Sequence, residues 1–276
     1  MILKKLELIK YKLVRFIESH PSLNLLIYNN ISFLKFLLPH EKDFYGMLLI
    51  CKNVKKLVIL DIGGNLGLSS LGFRQLGFKN KIIIFEPNFY LYKYFLRKIS
   101  KKDKNITVKN FALGNKNETK FFYMPYYKSK FVHYFSSFDK DYILRSIKMT
   151  FPKIHKQFTL QKKLIRCRTF DSLKLNIKVH FVKIDTEGFD EFVITGLKKT
   201  IKKDKPIFLV EYNNEYFSTI VSQLYNYTPF FYDISKNKMI KLNKSLIKTS
   251  VARTSQKNLL SVRNIYFIPN EHNFRC

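Results

Sequence analysis

From Leu57 onward the chain alternates short apolar runs with longer stretches of helical periodicity, and no other feature restricts its fold as much. The runs are Leu57–Ile62, Ile82–Phe85, Ile106–Phe111, Phe181–Ile184 and Pro206–Val210. All but Ile106–Phe111 carry at most one polar side chain, as a strand covered on both faces requires, and the intervening chain is long enough for crossover helices. The expected class is α/β, with a mostly parallel, doubly wound sheet. After Glu187-Gly188, residues Phe189, Phe192, Val193, Gly196 and Leu197 share one helical face, which predicts about three turns of helix directly behind the fourth strand. Two late runs, Phe230–Ile234 and Ile265–Ile268, flank a segment rich in Lys and Ser and predict an antiparallel hairpin closing the edge of a seven-stranded sheet.

Residues 1–54 read as a helical extension before a single domain over 55–276. Within the extension, Leu6, Ile9, Leu13 and Phe16/Ile17 form an apolar stripe interleaved with Lys4, Lys5, Lys10, Lys12 and Arg15, and Pro21 divides it into two helices. Such a stripe suits packing over the domain; it also suits an anionic bilayer surface, so peripheral contact at an inner membrane stays open. Between about residues 123 and 162 the sequence is aromatic, basic and weakly periodic, and reads as an insertion near a substrate entrance. No run reaches the roughly 18 apolar residues of a membrane span. Cys51, Cys167 and Cys276 are widely spaced, so neither a disulfide framework nor a zinc site is signalled and a reducing cytoplasm is expected.

A net charge of +30 attracts anions such as nucleic acid. Lysine supplies most of it, however, and the wealth of Lys, Asn, Ile, Phe and Tyr is what AT-rich codons produce. The charge by itself therefore does not name a partner.

The chemistry concentrates where strands end. Val58-Ile59-Leu60-Asp61-Ile62-Gly63-Gly64-Asn65-Leu66-Gly67 is an apolar strand that turns through glycines into a helix. Its glycines allow close approach of backbone and ligand. A dinucleotide loop reads G-x-G-x-x-G and places a pyrophosphate on a helix N-terminus; here Asp61 stands at the entry, repels phosphate and suits a cationic ligand. S-adenosylmethionine, with a sulfonium, an ammonium and no phosphate, fits that requirement. The next run ends at Glu86-Pro87-Asn88, where a carboxylate can accept from ribose hydroxyls. Asp185 and Glu187 follow the fourth strand and are placed either to orient and deprotonate an acceptor hydroxyl or to cap the next helix. Glu211 ends the fifth strand and can add a third acidic group for substrate or a divalent cation, although no metal site is expected. Asp171 reads as the cap of the helix after Thr169-Phe170, His180 as structural at the far end of the sheet, and His133 as an exposed insertion residue with an outside chance of touching acceptor.

In this order and spacing, Leu60–Gly67, Phe85-Glu86-Pro87-Asn88, Asn110-Phe111-Ala112-Leu113, Thr169–Leu173, Val182–Asp190, Gly196-Leu197, Val210-Glu211 and Asn264–Phe267 resemble successive motifs of the FkbM family of O-methyltransferases. The resemblance covers about residues 55–268, with two mild departures: Gly64 where the family commonly has Ala, and Asp190 where it often has Glu. It implies a Rossmann-like class I methyltransferase fold and S-adenosyl-L-methionine as cofactor. By position it implies Asp61, Gly63, Gly64, Asn65 and Gly67 around the methionine part, Glu86 and Asn88 at the ribose, and Asn110 to Ala112 near the adenine. A hydroxyl of a sugar or glycan precursor is the implied acceptor. Two competing readings differ in class. An RNA methyltransferase would use the basic charge and the many aromatics, but its strand end normally carries Asn/Asp-Pro-Pro-Tyr/Phe instead of Asp-Thr-Glu-Gly. A non-catalytic binding module would keep the fold without the chemistry.

Overall fold

A computed structural model describes residues 41–51, 56–213, 215–242 and 264–272. The helices expected in residues 1–38 and the basic segment after residue 242 lie outside the described residues. Two compact units are present: one holds the described residues up to Lys120 and from Ile165 on, and the other holds Phe121–Leu164.

The first unit is built on a sheet of eight strands: β1 (Val58–Ile62), β2 (Lys81–Phe85), β3 (Ile106–Lys109), β8 (Phe181–Ile184), β9 (Ile207–Glu211), β10 (Tyr227–Asp233), β11 (Lys238–Lys241) and β12 (Asn264–Pro269). Their order is β11-β10-β12-β9-β8-β1-β2-β3. The five runs read from the sequence are the five parallel strands, and all but the edge strand β3, where only Ile106 is buried, are largely buried because helices cover both faces of a sheet made by crossovers. The late strands differ from expectation. β12 lies inside the sheet, antiparallel to both β9 and β10, and β11 adds an eighth strand at the edge. With β12 between β9 and β10, the closing hairpin at the edge is β10–β11.

The helices of this unit are α1 (Gly46–Cys51), α2 (Leu68–Gln75), α3 (Phe89–Leu91, continued by π-helical Tyr92–Leu96 and α-helical Arg97–Lys102), α5 (Asp190–Thr195), α6 (Lys198–Asp204) and α7 (Phe217–Gln223). The predicted three-turn helix is thus two short helices, α5 and α6, broken at Gly196-Leu197. A Cβ at Gly196 would stand 2.1 Å from the Gly114 carbonyl oxygen, so this turn is pressed onto neighbouring backbone. Asp171 then caps α6, not the 3-10 turn that contains it. Its carboxylate accepts from the Lys199 and Thr200 amides at 2.7 and 3.0 Å, while Thr169 caps its own turn.

Phe44, Met47, Ile59, Phe73, Ile82, Phe181, Leu209 and Tyr266 belong to one buried cluster. Residues 41–51, read from the sequence as the end of an extension, therefore contribute to the core of the sheet: the Phe44 and Phe73 rings lie 5.1 Å apart. The Asp43 carboxylate accepts from the Asn264 amide at 3.0 Å, and the Asp43 carbonyl accepts from the Tyr266 hydroxyl at 2.7 Å. His180 sits at the opposite end of the strands, where its Nδ1 accepts from the Val58 amide at 3.1 Å, which is the structural role expected of it.

A second sheet has the order β4-β7-β5-β6, formed by β4 (Ala112–Leu113), β5 (Glu118–Tyr127), β6 (Lys130–Phe131) and β7 (Phe158–Arg168). In the Phe121–Leu164 unit, α4 (Lys140–Thr150) buries Ile143 and Ile147 with Phe151 against Tyr123, Tyr134, Phe158 and Leu160. Asp139 caps α4 by accepting from the Asp141 and Tyr142 amides. The segment that looked weakly periodic thus contains an 11-residue helix whose apolar stripe is only three residues deep.

Candidate functional site at the carboxyl ends of the strands

The chain order runs outward from β1 to β2 and β3 on one side and to β8 and β9 on the other, so the sheet has its topological switch point between β1 and β8. Ligands of open α/β sheets bind at the carboxyl ends of the strands at such a point. Register fixes what stands there. Ile62 pairs with Phe85 and with Ile184, and Ile184 pairs with Val210. The next residue on each strand therefore falls in a single row: Gly63, Glu86, Asp185 and Glu211. Two steps back, Asp61 pairs with Lys183.

Asp61 is 0% exposed. Its Oδ2 accepts from the Ser70 hydroxyl of α2 at 2.6 Å, whereas its Oδ1 is buried without a hydrogen-bond partner. Burial raises its pKa, opposed mainly by the Lys183 ammonium. Glu86 is also buried and bridges two loops: Oε2 accepts from the Asn65 amide and Oε1 from the Asn88 amide, both at 2.8 Å. Burial still outweighs those bonds and pushes its pKa up to about 7.

The glycine loop works differently from the sequence reading. Gly63 has φ +82°, and a Cβ there would lie 1.8 Å from the Asp185 carbonyl oxygen; a Cβ at Gly64 would meet Ile84 Cγ2 at 2.1 Å. The space at both Cβ positions is filled by the ends of β8 and β2, so close packing of the protein on itself already requires glycine here, a demand the sequence reading did not include. Gly67 has φ +81° where α2 begins, and Asn65 has φ 46°, a conformation that Asn tolerates better than most residues. The Gly64 departure from the family pattern has its physical reason in the β-branched Ile84 beside it.

Asn88 caps α3: its Oδ1 accepts from the Tyr90 and Leu91 amides, while its buried Nδ2 has no partner. Asn110 ends β3 two residues earlier than expected, because its Nδ2 donates to the carbonyls of Glu86 (2.8 Å) and Pro87 (3.1 Å). It thereby holds the Glu86 loop. Ala112 is buried in β4, paired with Cys167 of β7 in the second sheet, apart from the row at the strand ends.

At β8 the structure brings in a residue to which sequence reasoning gave no role. Lys183 is buried within the apolar run, and its Nζ donates to Asp185 Oδ2 at 2.9 Å. Asp185 and Asp61 lift its pKa against the cost of burial, so it is charged. The only signal in the sequence was a lysine inside an otherwise unbroken apolar strand. Asp190, at the start of α5, fixes the loop before it: its Oδ1 accepts from the Thr186 amide at 2.9 Å and hydroxyl at 2.7 Å. Burial raises the Asp190 pKa to about 6. Glu187 has φ 52°, a left-handed conformation that costs a non-glycine residue about 1 kcal/mol or more.

Glu211, at the carboxyl end of β9, is exposed. Loss of bulk hydration and then the carboxylates of Asp185, Glu187, Glu41 and Asp190 raise its pKa well above the usual range. Glu41 enters through Asn264, whose Nδ2 donates to Glu41 Oε2 at 2.7 Å; neither residue was assigned a role from the sequence. Among the described residues no group of three His, Cys, Asp or Glu side chains is arranged to hold a metal ion.

Asp61 within β1, Glu86 after β2 and the acidic loop after β8 all fall within the stretch of the chain that matches a known family. The methyltransferase FkbM domain matches residues 61–234. The chain belongs to the FkbM methyltransferase family. Its doubly wound sheet agrees with the Rossmann-like fold that membership of this family implies. Among solved structures it is similar to a methyltransferase FkbM from Methylobacillus flagellatus KT, at 14% identity and a TM-score of 0.46 over 81% of this chain and 47% of that one. It is also similar to a precorrin-6y C5,15-methyltransferase from Geobacter metallireducens GS-15, at 13% identity and a TM-score of 0.39 over 83% of this chain and 87% of that one. The chain thus spans about half the length of the first of these. Comparison with curated proteins finds no significant match. Among the described residues no helix is long and apolar enough to cross a membrane.

Proposed function

We propose that this enzyme is an S-adenosylmethionine-dependent O-methyltransferase acting on a hydroxyl of a sugar or glycan precursor. The observation that carries the reading is the buried Asp61 Oδ1 without a partner, two rows behind Glu86 at the switch point. An unpaired buried carboxylate oxygen is costly unless a donor or cation reaches it, and the ammonium of the methionine moiety has that chemistry. Glu86 would accept from the ribose hydroxyls with the lone pairs its two amide bonds leave free, Asn88 Nδ2 would donate at the same end, and Asn110 would hold the Glu86 loop. The bound cofactor supplies a methyl group on a sulfonium.

The residues of β8 and β9 would do the rest. Lys183 fixes Asp185, whose carboxylate, together with Glu187, would accept a hydrogen bond from the acceptor hydroxyl and aim its oxygen. Glu211, with its raised proton affinity, is suited to take the hydroxyl proton. A row of carboxylates favours a neutral polyhydroxyl acceptor and repels phosphate.

Calorimetric titration with S-adenosylmethionine and S-adenosylhomocysteine tests the cofactor reading. Micromolar binding by the wild type, weakened at least tenfold in Glu86→Ala, is expected. A folded wild type that binds neither compound overturns it. Radiolabelled methyl transfer to a panel of glycosides then tests the acceptor; label incorporated only into RNA would replace the sugar reading.

A further inference from the structure

We propose that the Phe121–Leu164 unit docks on an anionic lipid surface through the side on which α4 lies. The residues 121–164 contain nine Lys or Arg and two Asp with no Glu, and all nine cationic residues are exposed. Its excess of positive charge is therefore steeper than that of the chain as a whole. One of the two acids, Asp139, is occupied in capping α4.

Charge alone would describe a solvated surface. The second observation is the aliphatic side chains standing among the cations. Met149 is 83% exposed and Leu144 45% exposed, on the side of α4 opposite buried Ile143 and on its flank. Helical spacing sets Met149 one turn beyond Arg145, and Lys148 one turn beyond Leu144, so each apolar tip has a cation in its row. The sheet continues the pattern. Tyr123 of β5 and Leu160 of β7 pack under α4, and strand alternation puts Phe121, Lys162 and Leu164 on that same face beyond the helix. Phe121 is 42% and Leu164 57% exposed, and the Lys162 ammonium lies 4.7 Å from the centre of the Phe121 ring.

Protruding aliphatic tips ringed by flexible lysines match a bilayer interface, where the tips enter the headgroup boundary and the ammonium groups meet lipid phosphates. They match nucleic acid poorly, because Leu and Met neither stack on bases nor bond to phosphate, and arginine forks are nearly absent. This inference does not depend on which acceptor or cofactor the enzyme uses.

The test is sedimentation of the full chain with vesicles of phosphatidylcholine alone and of phosphatidylcholine mixed with phosphatidylglycerol. Binding to the mixed vesicles only is expected, weakening as salt is raised. Each cation near such a surface contributes about fivefold to affinity, so Lys148→Ala with Lys162→Ala should weaken binding about 20-fold or more. Leu144→Glu with Met149→Glu should lower it at least tenfold while thermal melting and S-adenosylhomocysteine binding stay unchanged, which separates loss of the surface from loss of the fold. A wild type that ignores anionic vesicles overturns the proposal. So does equal vesicle binding by wild type and both double variants, which would put the contact elsewhere on the chain, or salt-sensitive capture of an RNA oligomer in place of vesicles.

Discussion

Two buried ionisable residues give the site its energetics. Glu86 has its pKa raised to about 7 by burial, so its protonated form is the one the folded protein favours. The sign follows directly. The contribution is fully present below the unfolded-state pKa near 4.5, and it is lost as pH rises through about 7, where the buried carboxyl must ionise. Glu86→Gln removes that titration. Relative to the variant, the wild type should lose stability between pH 5 and pH 8 by up to about 3 kcal/mol, read as a pH-dependent gap between two melting curves. A gap that does not change with pH would mean Glu86 is ionised throughout. Bound S-adenosylhomocysteine should shrink the gap, because ribose hydroxyls bond more strongly to the ionised carboxylate than to the neutral carboxyl. Lys183 is the counterpart. Lys183→Met keeps the aliphatic stem but leaves Asp61 and Asp185 without their shared cation, and breaking a buried pair in this way costs about 3–5 kcal/mol. Chemical denaturation should register that loss, and Lys183→Met with Asp185→Asn should lose less than the two single changes together. A loss below about 1 kcal/mol would mean that solvent screens the pair.

At the scale of elements, the turn after β1 is shaped by its neighbours on both sides. Gly64 has no space for a methyl group because Ile84 Cγ2 occupies it. Gly64→Ala should therefore destabilise by about 1–3 kcal/mol, the usual cost of overpacking. Ile84→Leu removes the branch at Cβ at constant volume, so the double variant should recover part of that loss; purely additive effects would show that the clash is relieved elsewhere. This dependence of a loop on a strand 20 residues away explains what could be read in advance. Four of the five parallel strands were legible because burial on both faces writes itself as a mostly apolar run, and Asp61, Glu86 and Asp185 were legible because each stands at or just before the end of such a run or directly after it. Lys183 was hidden inside one. β11 was missed because Lys238–Lys241 offers only two apolar residues between lysines, and the interior place of β12 was missed because pairing across the sheet leaves no local mark. The cap that Asp171 lends to α6 and the break at Gly196 arise from contacts between segments distant in sequence, which a local pattern cannot carry.

The whole molecule sets an acidic crevice in a strongly basic chain. Its net charge is +30 at pH 7. Ion pairs such as Lys205–Glu271 are exposed, and exposed pairs contribute little. Global repulsion among lysines should then outweigh local attraction, and the two respond to salt in opposite directions. Near 0.01 M salt the screening length is about 30 Å, so like charges across the molecule still repel; near 0.15 M it is about 8 Å, and only near neighbours interact. Screening weakens the ion pairs and relieves the self-repulsion that opposes a compact state. Raising sodium chloride over that range at pH 7 should therefore increase stability on the order of 1 kcal/mol, or about 2–4 °C in Tm. The same change should weaken any attachment to anionic vesicles, because that attraction is between opposite charges. A Tm that falls as salt rises would show instead that specific ion pairs, the Lys183 cluster foremost among them, dominate the electrostatics of the folded chain.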